Sequence, residues 1–240
     1  MKSIIGLVLV AMALAGGSMA SAAEVPGSVK ALLAPVGQAG MGDQAAQLSQ
    51  AIEASPALAD QLSSLVVSGK LTSIQVRPAG QGLFGGFLEN GGMVFTVPFL
   101  QAQVKKRLFD VVREGDILPD NLVFCVGHLA YHLAVKPVQV SDAANPIDFA
   151  NKRVALEAAA FIQGWNDVVD AAVQANGGKE LSGGQAGSLL MNLRYRFAFM
   201  KAFKQPEKLE MGQTGRIELT QQNINAIAEA LKTSAITDVE

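Results

Sequence analysis

The chain has 240 residues, of which 50% are hydrophobic, and its 19 basic and 21 acidic side chains give a formal net charge of −2. This near balance excludes the basic footprint of a nucleic-acid-binding protein. The single cysteine, Cys125, excludes an internal disulfide, and its apolar neighbours predict a buried side chain. The length is enough for one domain with a substantial core or for two small ones.

Residues 1–22 have the pattern of a secretory signal peptide. Lys2 supplies a positive charge, residues 4–15 are uncharged and apolar, and residues 20–22 (Ala-Ser-Ala) offer the small side chains of a cleavage site. The apolar run is too short to span a bilayer, and no later segment has about eighteen uninterrupted apolar residues. We therefore expect an exported bacterial protein, periplasmic or secreted, without a membrane span.

Two helices are predicted early in the mature chain. Apolar residues with helical spacing cover residues 43–54. The dipeptide Ser55-Pro56 is typical of the beginning of a second helix, which we expect to end at Gly69.

A small sheet is predicted next. Asn90-Gly91 lies between two apolar runs, which is the strongest short-range signal of a β-hairpin. Together with residues 71–76, the hairpin predicts a three-stranded antiparallel sheet. An amphipathic helix over residues 99–114 is expected to follow it.

From residue 117 onward the chain is predicted to be all-helical. The sequence therefore indicates one α+β domain over residues 23–240, with an α/β part over 23–116 and a helical part over 117–240. The predicted helices cover residues 118–135, a long segment opened by Asn145-Pro146 and ending near Asn176, a segment from Ser182 or Gly184 to Phe203, and residues 220–232.

The only two histidines of the chain, His128 and His132, lie four residues apart in the first of these helices. Residues i and i+4 share one face of a helix, so both imidazoles can reach one metal ion. Glu157 follows 25 residues later among small apolar residues, where an unpaired carboxylate would be costly. Two histidines and one glutamate with an open fourth position are the ligand set of catalytic zinc sites. His128, His132 and Glu157 are therefore the candidate metal ligands.

This arrangement resembles the zincin metallopeptidases, in particular the gluzincins. In that family a helix carries His-Glu-x-x-His, and a later helix supplies a glutamate ligand. The resemblance covers about residues 118–170 and implies a zincin-like fold, a zinc cofactor and a peptide or protein partner. It also implies that residues 93–97 correspond to the edge strand with which the family binds the substrate backbone.

The sequence departs from the family at the position that matters for catalysis. Leu129 stands where the family carries the glutamate that takes a proton from the metal-bound water. Loss of a positioned general base costs a factor on the order of 10² to 10⁴ in rate. We therefore predict no catalytic residue in the motif and little or no proteolysis.

Three hypotheses follow from these residues. The first is an exported, degenerate zinc-metallopeptidase homologue that binds peptides or a protein partner. The second is an active metal-dependent hydrolase that uses a different general base. The third is a metal-free helical interaction protein of the periplasm. Composition and motifs make no prediction about the oligomeric state.

Overall fold

The computed structural model describes residues 24–78, 85–101, 119–205 and 208–233. The predicted signal peptide and most of the predicted amphipathic helix over 99–114 lie outside these residues. Three helices come first, and Ser55 caps the third, because its hydroxyl accepts a hydrogen bond from the Leu58 N–H at 3.2 Å. These helices are α1 (Gly27–Gln38), α2 (Gly42–Ala54) and α3 (Pro56–Val67).

A three-stranded sheet follows, with the strand order β1-β3-β2. The predicted hairpin joins β2 to β3, and its turn uses positive φ angles at Asn90 (50°) and Gly91 (75°). The strands are β1 (Ser73–Arg77), β2 (Gly86–Glu89) and β3 (Gly92–Thr96).

The prediction of an antiparallel sheet is wrong for one of its two pairings. β2 pairs with β3 antiparallel, but β1 pairs with β3 parallel, from Ser73 opposite Gly92 to Arg77 opposite Thr96. The reason is burial: every residue of β3 is buried, and a strand that is buried on both faces takes the central position. β1 therefore lies beside β3 rather than beside β2.

The rest of the described chain is helical, so the α+β class is confirmed. Asn145 caps the long helix as predicted, accepting a hydrogen bond from the Asp148 N–H, and Thr220 caps the last helix in the same way. The elements are α4 (Val97–Gln101), α5 (Pro119–Ala134), a 3₁₀ turn (Val140–Asp142), α6 (Pro146–Ala175), α7 (Gly183–Met191), α8 (Arg196–Ala202) and α9 (Gln221–Lys232).

The single helix predicted to end at Phe203 is wrong, because the chain turns between α7 and α8. The side chain of Asn121 on α5 holds this turn: its Oδ1 accepts a hydrogen bond from the Arg194 N–H at 2.6 Å, and its Nδ2 donates to the Asn192 carbonyl at 3.3 Å. Backbone groups that would continue a helix are satisfied by Asn121 instead.

The core is centred on α6, which packs against both α5 and α9. Trp165 of α6 is fully buried, and its indole N–H donates a hydrogen bond to the Gly215 carbonyl at 2.7 Å. Phe199 packs against Trp165 with ring centroids 6.0 Å apart, Phe124 and Phe161 pack against Phe199, and all three phenylalanines are buried. Among the described helices, none is both long and apolar enough to cross a membrane.

Candidate metal centre

The two histidines stand on the face of α5 that meets α6. Their rings lie edge to face with centroids 4.8 Å apart, as expected for neighbouring turns of one helix. The His128 side chain is only 9% exposed and that of His132 is 21% exposed. The α5 helix thus presents one deeply buried and one partly buried imidazole to α6.

Two glycines allow α5 and α6 to approach closely enough for the third side chain to reach the histidines. A methyl group at Gly164 of α6 would lie 2.7 Å from the Phe124 carbonyl oxygen of α5. A methyl group at Gly127 of α5 would lie 2.0 Å from Asp167 Oδ2 of α6. A side chain at Gly164 would therefore require a shift of one helix against the other, whereas one at Gly127 would displace the Asp167 carboxyl group.

Glu157 of α6 lies between the two imidazoles. Its Oε1 lies 3.0 Å from His128 Nε2, and its Oε2 lies 3.0 Å from His132 Nε2. One ligand atom from each of the three residues can be chosen so that no two are more than 4.8 Å apart. Within the described ranges, this is the one group of three or more His, Cys, Asp or Glu side chains with metal-site spacing.

The carboxylate is ionised in this environment. Burial by itself would raise the pKa of Glu157, but the neighbouring His128 and His132 outweigh burial and lower the pKa to about 2. Oε1 nevertheless has no hydrogen-bond donor among the described residues, because the 3.0 Å approach of His128 Nε2 lacks hydrogen-bond geometry. The two atoms are close to each other but are not aligned with each other.

The donor set fits a zinc ion. Zinc bonds of about 2.0–2.2 Å to imidazole nitrogen and carboxylate oxygen put tetrahedral ligand atoms roughly 3.4 Å apart. The two 3.0 Å separations are close to this value. The widest possible separation, 4.8 Å, would have to shorten by up to about 1.4 Å, which side-chain rotation can supply. Zinc at this position would polarise a bound ligand or water as a Lewis acid.

Few polar groups support the histidines. Nδ1 of His128 is buried and has no hydrogen-bond partner in the described part of the chain. The ring of His128 instead packs against Phe161 and Phe124, with centroids 5.4 Å and 6.1 Å away. Metal-binding histidines usually donate this second N–H to an oxygen atom. The imidazole is therefore oriented by aromatic packing rather than by a hydrogen bond.

Leu129 directly follows the first histidine and is 6% exposed. It lines the same cavity as His128 and Glu157, so a longer polar side chain at this position would face the centre. Among the described residues that line the cavity, Glu157 is the one carboxylate. No second carboxylate in this lining is available as a general base beside Glu157.

The cavity above the histidines has a volume of about 490 Å³. Its wall is mainly aromatic and aliphatic, which is typical of small-molecule and side-chain pockets. The described residues that line it are Gly85, Gly86, Phe87, Leu88, Phe99, Asn121, Phe124, Cys125, His128, Leu129, His132, Glu157, Phe161, Arg194, Tyr195 and Phe197.

Two polar residues of this wall, Arg194 and Tyr195, are not apparent from the sequence. The sequence places them in a core helix, whereas they lie in the turn before α8, on the cavity side. The Arg194 guanidinium lies 5.9 Å from the centre of the Tyr195 ring. Burial is the main cause that raises the pKa of Tyr195, with smaller contributions from Cys125, which raises it, and from Arg194, which lowers it.

Cys125 also lines the cavity, but it does not belong to the group of close ligand atoms. Burial raises the pKa of its thiol to about 12, so the thiol keeps its proton at neutral pH. Only the thiolate binds metals well. Cys125 is therefore part of the cavity wall, and it is half-buried there rather than fully buried as the sequence predicts.

The expectation that residues 93–97 form a substrate-binding edge strand is wrong. β3 (Gly92–Thr96) is the central strand, and its two edges are occupied by β1 and β2. Its backbone groups are therefore not available to a peptide. The strand that lines the cavity is β2, through Phe87 and Leu88.

Comparison with known proteins adds no relative: no family profile, characterised protein or solved structure matches this chain.

Proposed function

We propose that the chain is an exported, degenerate zinc-metallopeptidase homologue: it binds zinc through His128, His132 and Glu157, and it binds a peptide or protein partner without efficient cleavage. The observation that carries this proposal is the convergence of the three ligand atoms at the base of an apolar cavity. Leu129 beside them accepts no proton, which supports a centre without efficient cleavage. The signal-like N-terminus supports export to the periplasm or medium.

Two further observations support a metal ion over a simple ion pair. Glu157 approaches both imidazoles at once, with one carboxylate oxygen 3.0 Å from each Nε2, which fits three groups directed at one point. The donor set also has the composition of an open zinc site, which leaves one coordination position for a ligand from the cavity.

Metal analysis of the purified protein tests the zinc site. We expect stoichiometric zinc in the native chain, and a loss of affinity of at least about 100-fold in His128→Ala and Glu157→Gln. Asp167→Asn is the matched control, because it also neutralises a buried carboxylate of α6 but lies away from the cavity lining. Native protein without metal, or metal that survives both ligand substitutions, would contradict the proposal.

A glutamate introduced at position 129 tests whether the proposed zinc centre lacks only a general base. Leu129→Glu should raise chelator-sensitive cleavage of an unstructured protein substrate by a factor on the order of 10² to 10⁴ over the native chain. Leu129→Gln introduces a side chain with nearly the shape of glutamate that accepts no proton, so it should not raise cleavage. Circular dichroism confirms that each variant folds. Native protein that already cleaves as fast as Leu129→Glu would show an active hydrolase with a different base.

A metal-free interaction protein is the second candidate, and one observation favours it. Glu157 contacts both imidazoles at 3.0 Å, so the carboxylate has partners of its own without an ion. In that case zinc analysis finds no metal, and Glu157→Gln lowers stability without any change in metal content.

A further inference from the structure

The sequence contains two Asn-Gly pairs, Asn90-Gly91 and Asn176-Gly177, and each is followed by a second glycine. An asparagine before glycine loses its side-chain amide readily, because no side chain on the glycine keeps its backbone nitrogen away from the preceding side-chain carbonyl. Both asparagines are exposed. The two pairs are chemically alike, so only their structural surroundings can give them different reactivities.

The hairpin turn leaves the reacting groups of the first pair free. Among the described residues, the Gly91 N–H donates no hydrogen bond, and the side-chain amide of Asn90 makes none. The turn is held through its carbonyl groups instead: the Thr72 N–H donates to the Gly91 carbonyl at 2.9 Å, and the Thr72 hydroxyl donates to the Asn90 carbonyl at 3.4 Å. The attacking nitrogen and the side chain that it attacks are therefore both available.

The second pair is held at the end of α6. The Gly177 N–H donates a hydrogen bond to the Gln174 carbonyl at 3.0 Å, and the side-chain nitrogen of Asn176 donates to the Lys179 carbonyl at 3.1 Å. The end of the helix thus occupies the nitrogen that would attack and fixes the side chain that would be attacked. Both hydrogen bonds must open before this pair can react.

The hairpin also permits the rotation that ring closure needs. The peptide group between Asn90 and Gly91 must turn before the Gly91 nitrogen can meet the side-chain carbonyl. Positive φ angles at both residues define a type I′ turn, and rotation of this peptide group converts it to type II′, the other favoured two-residue hairpin turn. Asn90 keeps its positive φ in both turns, and a glycine accepts either sign. The strands can therefore stay paired while the pair reacts.

We propose that Asn90 is a site of spontaneous deamidation and isomerisation in the folded protein. The Gly91 nitrogen bonds to the carbonyl carbon of the Asn90 side chain, and its proton leaves with the amide nitrogen as ammonia. Water then opens the resulting cyclic imide at one of its two carbonyl groups. Opening at one carbonyl gives aspartate, and opening at the other gives isoaspartate, in which the main chain runs through the side-chain carbon atoms.

Isoaspartate adds one methylene group to the main chain and one negative charge to the turn. The longer main chain no longer fits the two-residue loop that sets Glu89 opposite Gly92. The new carboxylate follows Glu89, which already forms an ion pair with Arg77. Because β2 lines the cavity through Phe87 and Leu88, the modification loosens a strand that borders the candidate metal centre.

The test is peptide mapping by mass spectrometry of the full chain after ageing in mildly alkaline buffer, with aspartate and isoaspartate products separated by chromatography. In the folded protein we expect residue 90 to react at least about tenfold faster than residue 176, because two hydrogen bonds protect the second pair. In concentrated urea the two residues should react at similar rates, since the local sequences are alike.

Asn90→Gly is the matched control. Gly-Gly also suits a two-residue hairpin turn, so the variant keeps the fold but has no side chain to react. The products at residue 90 should disappear, and the slow reaction at residue 176 should be unchanged.

Urea unfolding measures the effect on the hairpin. The purified isoaspartate form should unfold at a lower urea concentration than Asn90→Asp, which carries the same charge without the extra methylene group. Equal stability of the two would overturn the effect on the hairpin and leave the modification site standing. Equal rates at residues 90 and 176 in the folded protein, or no product at residue 90, would overturn the proposal itself.

Discussion

Two buried carboxylates lie ten residues apart on α6, and they differ in what surrounds them. Glu157 lies between two imidazoles, and although burial raises its pKa, those neighbours lower it to about 2. Asp167 is 1% exposed and accepts one hydrogen bond, from Gln163 Nε2 at 3.0 Å, while its Oδ2 has no partner in the described part of the chain. Burial raises the pKa of Asp167 to about 7, and the charge of Asp170 adds to this.

The comparison teaches that burial alone does not decide whether an acid is charged. At neutral pH Glu157 is an anion that can bind a cation, whereas Asp167 is close to half protonated. Asp167 packs against the backbone of Gly127, one residue before His128, so it supports the ligand helix by filling space. Glu157 thus brings negative charge to the candidate centre, whereas Asp167 fills space between α6 and α5.

The largest expected effect is on the pH dependence of stability through Asp167. Its pKa is raised on folding, so the native state holds a proton that the unfolded state releases, and the free energy of unfolding falls as pH rises from 4 to 8. A shift from 3.8 to about 7 corresponds to a loss on the order of 4 kcal/mol. Asp167→Asn should remove this decline and be the more stable protein at pH 8.

Urea unfolding at several pH values, with a chelator present, measures this difference. The exposed Asp43 of α2 provides the control, and Asp43→Asn should follow the native curve. If the free energy of unfolding of Asp167→Asn falls as steeply as that of the native protein between pH 4 and pH 8, Asp167 is not a protonated acid in the folded state.

The opposite pH dependence is expected for Glu157 in the metal-free protein. Its pKa is lowered on folding, so its contribution is complete above pH 4.5 and is lost as pH falls towards 2. The shift from 4.5 to about 2 corresponds to on the order of 3 kcal/mol. Glu157→Gln should be less stable than the native chain at pH 6, and the difference should disappear near pH 2. A difference that does not change with pH would remove the ion-pair explanation.

The smallest effect on stability is expected from a substitution at the contact between α5 and α6. Gly164→Ala puts a methyl group against the Phe124 carbonyl, which should cost about 1–3 kcal/mol and also weaken zinc binding. Gly187→Ala makes the same change in α7, where nothing lies within 4 Å, and should stabilise the protein by up to about 1 kcal/mol. Thermal unfolding of the two variants compares them directly. Equal stability of the two variants would mean that the contact between α5 and α6 has room for a methyl group at Gly164.

Local signals in the sequence were enough for most of the helices and for the hairpin. Ser55, Asn145 and Thr220 each cap the helix that the sequence predicts, because a cap depends on a side chain and the next three residues. Asn90-Gly91 forms its turn for the same reason. The spacing of His128 and His132 needs only a helix to bring the two imidazoles together.

The features that the sequence did not predict depend on contacts between distant segments. The parallel pairing of β1 with β3 depends on which strand the helices bury, and no local pattern records this. The break before Arg194 and Tyr195 depends on Asn121, more than 70 residues earlier, whose hydrogen bonds replace those of a helix. These two contacts fix the position of β2 at the cavity and turn Arg194 towards the candidate centre.

The most direct test of the account is a crystal structure of the zinc-loaded protein with anomalous diffraction data collected at the zinc edge. The account predicts one anomalous peak about 2.0–2.2 Å from Nε2 of His128, Nε2 of His132 and a carboxylate oxygen of Glu157. It also predicts the Leu129 side chain beside the ion and no protein ligand in the fourth position. Zinc-soaked crystals without a peak at this point, with Glu157 hydrogen-bonded directly to both imidazoles, would contradict it.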